Sequence, residues 1–101
     1  MRTNFRTYNL AVIFYKQCTK IKLPQHLNQQ LLRAAASIAL NLAEGRGKRT
    51  RKDQLRFFDI AMGSLRECQV ILTLANLTNS EAGSVLDTLA AHLYKLIKNA
   101  I

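Results

Sequence analysis

The sequence predicts an all-α fold, an antiparallel up-down four-helix bundle. Three observations predict it. Apolar residues recur at alternating steps of three and four in four successive segments, which lines up one face of a helix in each. Proline occurs once and glycine four times, few enough for long uninterrupted helices. No segment alternates Val, Ile or Thr with polar residues in the manner of a half-buried strand. The 101 residues have room for one domain, taken as 1–101. Hydrophobic residues make up 49% of the chain, too many for one disordered by composition.

The first helix is expected over about 4–20, capped by Thr3 or Asn4. Phe5, Tyr8, Val12 and Tyr15 form one stripe, and Leu10, Ile13 and Phe14 add a second side. Aromatics interleaved with Arg6 and Lys16 could stack nucleobases, but aromatics at helical spacing are more often core. Pro24 ends this segment, because it disfavours helical geometry at Leu23 and suits the first turn of a new helix.

The second helix is expected over about 24–44, with Leu31, Ala34/Ala35, Ile38 and Leu42 on one face. The third is expected over about 50–76, with Leu55, Phe58, Met62 and Leu65 on one face. Gly45 or Gly47 can end the second helix in a left-handed conformation. Thr50 can cap the third, with Asp53 in its first turn. An antiparallel hairpin then brings Gly63-Ser64 opposite Ala34-Ala35-Ala36-Ser37. A tight crossing of small residues there would offset the roughly 1 kcal/mol that a helix-interior glycine costs. Asn41 or Ser37, if buried, needs a partner such as Ser64. Arg33 and Glu67 fall within a turn or two of each other.

A second apolar line on the third helix, Phe57, Ala61, Cys68, Ile71 and Ala75, predicts burial on two sides and a contact with another subunit. Ser80 or Thr78 starts the fourth helix, expected over about 80–100, with Glu81 and Gly83 in its first turn. Leu86, Leu89, Leu93 and Leu96/Ile97 are its core face, and Lys95 and Lys98 suit its negative end.

The net charge is +9, which favours an anionic partner, nucleic acid first. The excess is concentrated between the second and third helices. There Arg46, Lys48, Arg49, Arg51, Lys52 and Arg56 face one acid, Asp53. A solvated loop is the plain alternative. Phosphate binding is the reading the charge of the whole chain favours, with Gly45 and Gly47 opening backbone N–H groups to the ligand. Gly-Arg-Gly-Lys lacks the spacing of a nucleotide-binding P-loop.

Cys18 and Cys68 lie far apart with no paired-cysteine motif, so they read as buried thiols and not as metal ligands or a disulfide framework. No apolar run reaches the roughly 18 residues of a membrane span. The N-terminal segment has no signal-peptide core, and a transit peptide is disfavoured because its helical pattern continues unbroken; a cytoplasmic location without membrane contact is expected. No acid/base or metal cluster is apparent, and neither His26 nor His92 follows an Arg at the spacing of an Arg-x4-6-His ribonuclease motif. The protein is therefore expected to be no enzyme, with no catalytic residues, metal or cofactor.

Ser37-Ile38, Asn41-Leu42-Ala43-Glu44-Gly45 and then Gly63-Ser64-Leu65-Arg66-Glu67 form an ordered set. With Gln30 to Ala36, Ile60 to Met62, Leu23-Pro24 and the chain length, this set resembles the small bacterial four helix bundle protein family. That family includes proteins encoded in intervening sequences of 23S ribosomal RNA genes. The accessory variability determinants of diversity-generating retroelements are related to it. The resemblance implies an up-down bundle, a ring-like homo-oligomer that is often a pentamer, proposed nucleic-acid binding, and a reverse transcriptase as a candidate partner. It makes Ser37, Asn41, Glu44, Gly45, Gly63, Ser64 and Glu67 a structural motif and implies no catalytic residue. The function expected from residues and resemblance together is a non-catalytic nucleic-acid-binding adaptor for RNA or DNA. The alternative is a structural or protein-interaction bundle that binds no nucleic acid.

Overall fold

The computed structural model describes residues 2–100, with side chains from Arg6 onward, so the Thr3, Asn4 and Phe5 side chains lie outside the described residues. Among the described residues there are four helices and no strand: α1 (Arg2–Cys18), α2 (Gln25–Arg46), α3 (Arg51–Leu74) and α4 (Glu81–Lys98). Each helix packs on its two neighbours in cyclic order, α1 on α2, α2 on α3, α3 on α4 and α4 on α1. Short connections between packed neighbours force successive helices to run antiparallel. The body measures 40 × 21 × 18 Å. Its long dimension follows from α3, whose 24 residues span about 36 Å at 1.5 Å per residue.

The core is the set of apolar stripes turned inward. Phe14 and Cys18 from α1, Leu31, Ala35, Ile38 and Leu42 from α2, Phe58, Ala61, Leu65 and Cys68 from α3, and Leu86, Leu89 and Leu93 from α4 are buried together. Tyr8 and Tyr15 pack against this core half-buried. Both apolar lines of α3 are satisfied within the chain. Ala61, Cys68 and Ile71 of the second line are buried, with Phe57 and Ala75 half-buried. The outward apolar side of α3 is a third line, Ile60, Val70 and Leu74, which are 45%, 57% and 64% exposed.

Caps and turns follow local chemistry. The Thr50 side chain accepts from the Asp53 N–H at 3.1 Å, and the Ser80 side chain accepts from the Gly83 N–H at 3.1 Å. These bonds satisfy donors that each helix start leaves free. α3 stops through Asn76, whose φ of 59° is left-handed. The Leu77 N–H then reaches back to the Leu72 carbonyl at 2.8 Å, and the Asn76 N–H to the Thr73 carbonyl at 3.1 Å. This paired closure uses the side-chain type that tolerates the left-handed region best after glycine.

All four glycines differ from the sequence expectation. No glycine has positive φ, so neither Gly45 nor Gly47 ends α2 by a left-handed turn. Gly45 lies inside α2, buried, and a Cβ there would come 2.6 Å from Phe58 Cε1. It is glycine because α3 passes too close for a side chain. Gly63 is the reverse case: it is exposed, and a Cβ would meet nothing within 4 Å. The close crossing expected at Gly63 is absent, because Gly63 faces away from α2. Gly83 is more than a tolerable first-turn residue, because a Cβ would collide with the Thr78 carbonyl oxygen, and only glycine lets the α3–α4 turn lie against the start of α4.

Candidate nucleic-acid interface

The turn between α2 and α3 is built by ordinary backbone bonds. The Gly47 N–H bonds to the Glu44 carbonyl at 3.2 Å, and the Lys48 N–H to the Gly45 carbonyl at 3.1 Å. These N–H groups are spent on closing α2, and Gly45 is buried, so the two glycines do not open backbone N–H groups to a ligand here. Buried Gln54, which the helical pattern did not single out, donates from Nε2 to the Lys48 carbonyl at 3.2 Å and ties the turn to α3.

The six cations of this stretch have different settings. Arg49, Arg51, Lys52 and Arg56 are exposed. Lys52 and Arg56 stand one turn apart on α3. Lys48 is half-buried; its Nζ lies 3.3 Å from Glu44 Oε2 and 5.2 Å from the centre of the Phe57 ring. The Arg56 guanidinium lies 5.4 Å from the same ring. Phe57 therefore holds two cations over its π system. Arg46 is half-buried and engaged within the fold. Arg51 donates from Nη1 to the Ala100 carbonyl at 2.6 Å. That bond ties the turn to the end of α4 and gives Arg51 a structural duty.

The same bond shows what the linear sequence hid. The C-terminus of α4 lies at the turn end of the bundle, so exposed Lys95 and Lys98 join the cations there. So does exposed Arg6, near the start of α1, which runs antiparallel to α2. The signal was available: in an up-down bundle the start of the first helix and the end of the fourth share an end with the second turn.

The polar motif residues line the α2–α3 seam. Asn41 Nδ2 donates to the Ser37 carbonyl at 2.8 Å and to Ser37 Oγ at 3.1 Å. Ser64 Oγ donates to Ser37 Oγ at 2.7 Å across the two helices. Glu44 pairs with Lys48 at the turn. Glu67 and Arg33 are both exposed and form no ion pair with each other.

Other chemistry is sparse. Among the described residues, no three or more His, Cys, Asp or Glu gather where they could hold a metal ion. His92 Nδ1 donates to the Thr88 carbonyl of its own helix at 2.9 Å, and His26 is exposed at the far end of the bundle. Burial pushes the Cys18 thiol up to about 12. Cys68 is raised as well, first by burial and then by the neighbouring Cys18 and Glu67 charges. Both thiols are free. No helix is long and apolar enough to cross a membrane among the described residues.

The family model described as 23S rRNA-intervening sequence protein matches residues 4–100. The chain belongs to that family. No curated protein and no solved structure matches it. The match covers nearly all of α1 and the whole of α2, α3 and α4.

Proposed function

We propose that this intervening-sequence family member is a non-catalytic, nucleic-acid-binding adaptor that works as a homo-oligomer, with the basic end of its bundle as the phosphate-binding surface. The observation that carries the reading is the gathering of cations at one end. Arg49, Lys52 and Arg56 meet Lys95 and Lys98 there, brought together by the Arg51–Ala100 bond. Exposed side-chain cations without an internal ion pair are available to displace counterions from a phosphate backbone.

Self-association is supported by the outer face of α3. Ile60, Gly63, Glu67, Val70 and Leu74 follow steps of three and four, the spacing of a helix–helix seam. An exposed glycine at its centre, where a Cβ would meet nothing within 4 Å among the described residues, suits the close approach of a second copy. A ring of five copies, and a relation to retroelement accessory proteins that would make a reverse transcriptase a partner, rest on the family resemblance. A ring repeats the basic end around one axis and adds avidity. A cytoplasmic location fits this reading.

The test is a titration with labelled structured RNA, single-stranded DNA and duplex DNA at about 50 and about 200 mM salt. The comparison variant carries Arg49, Lys52, Arg56, Lys95 and Lys98 changed to Gln. Binding by the wild type that weakens steeply with salt and is lost in the variant supports the reading. Equal, feeble binding by both proteins overturns it in favour of a protein-interaction bundle with an acidic partner.

A further inference from the structure

Beside the basic end, a cleft of about 440 Å³ opens between α1 and α2, lined by Tyr8, Ala43, Arg46 and Gly47. One wall is the half-buried ring of Tyr8, and another is the half-buried, internally engaged Arg46. The cleft stays open because two positions four residues apart at the C-terminal end of α2, Ala43 and the capping Gly47, carry almost no side chain. The fold does not demand this. Gly47 has φ −79° and ψ −5°, which any residue adopts. A Cβ there would make one ordinary contact, with the Glu44 carbonyl oxygen at 3.6 Å. Ala43 is exposed. Larger residues would fit at both positions and would close the cleft.

Resting on the nucleic-acid reading above, we infer that this cleft takes an unpaired nucleobase, stacked on Tyr8, while the neighbouring cations hold the flanking phosphates. An aromatic wall in a notch beside a phosphate-binding surface is the arrangement that grips single strands, because every base presents a π face. A duplex keeps its bases stacked inside and cannot fill the notch. The protein therefore prefers single-stranded or looped nucleic acid to a fully paired helix of the same charge.

The probes are a single-stranded oligouridylate of about twelve nucleotides and a blunt RNA duplex of the same length, titrated against the full chain at one salt concentration. Ala43→Leu and Gly47→Gln fill the cleft from exposed positions without touching the core. Each is expected to lower oligouridylate affinity roughly tenfold and to leave the duplex unchanged. Tyr8→Phe keeps the stacking wall and keeps the preference; Tyr8→Leu loses it. If the filled variants bind oligouridylate as tightly as the wild type, or weaken both ligands alike, the cleft is no base site. When that occurs while the Gln variant at the basic end still loses binding, the phosphate surface stands and the base site falls. If the wild type binds neither probe, both readings fall together.

Discussion

Arg51 and the Ala100 carbonyl are 49 residues apart in sequence and 2.6 Å apart in space. The bond closes the turn end of the bundle, joining the first residue of α3 to the chain just beyond α4. It separates Arg51 from the cations around it. Arg51→Met is expected to destabilise the fold by about 1.5–3 kcal/mol, the range for a hydrogen bond to a charged group. Arg51 and Lys52 are both exposed, but the Arg51 guanidinium is engaged by the Ala100 carbonyl, so the effect of Arg51→Met on nucleic-acid affinity should be smaller than that of Lys52→Met. Thermal unfolding and a binding titration on both variants measure the two effects. A purely phosphate-binding Arg51 would show the reverse pattern.

Gly45 and Gly63 should respond with opposite signs to the same substitution. A methyl group at Gly45 meets Phe58 Cε1 at 2.6 Å, so Gly45→Ala costs about 1–3 kcal/mol through overpacking. Gly63→Ala adds a methyl group in open space on a helix, so the isolated chain gains roughly 0.5–1 kcal/mol. If α3 is the seam between copies, Gly63→Ala also lowers the oligomer's molecular mass, read by light scattering. An unchanged mass would place the seam elsewhere.

Lys95 and Lys98 should contribute to the salt dependence of binding although they lie far in sequence from the α2–α3 turn. Each phosphate contact removed shallows the slope of log affinity against log salt by about 0.9 for duplex DNA and about 0.7 for a single strand. Lys95→Gln with Lys98→Gln is therefore expected to shallow the slope without abolishing binding. A slope identical to wild type would remove the end of α4 from the surface.

The buried thiols make the fold sensitive to alkali. Burial holds Cys18 at about 12 against an ordinary value of 9.0, and Cys68 is raised too. The unfolded chain releases these protons first, so the contribution to stability is full below pH 9.0 and is lost as pH rises toward about 12. Cys18→Val, tested by denaturant unfolding across that window, should show a shallower loss of stability than the wild type. Thiol reagents should react slowly with the native protein and rapidly once it unfolds.

Much of the fold was legible because helical periodicity acts locally. The stripe Leu31, Ala34/Ala35, Ile38, Leu42 marks the buried face of α2, and Thr50 marks the start of α3, from neighbours within one turn. The hairpin register also pointed to Ser64 as a partner for Ser37, and the 2.7 Å bond joins them. Glycines resisted the same reading. Their side chains are absent, so their meaning lies in what stands opposite. Opposite Gly45 is Phe58, opposite Gly83 the Thr78 carbonyl, and opposite Gly63 nothing within 4 Å among the described residues.

By itself the sequence determined the helices, their inward faces, the family, and the concentration of positive charge at one turn, since each depends on residue order or on spacing along one element. The tertiary structure alone decided which cations are free and which are spent. It set Arg51 on the Ala100 carbonyl, laid Lys48 and Arg56 over Phe57, brought Lys95 and Lys98 to the turn end, and opened the cleft beside Tyr8. The physical reason is that a period places a residue on a face, but only the packing of other helices determines what that face meets.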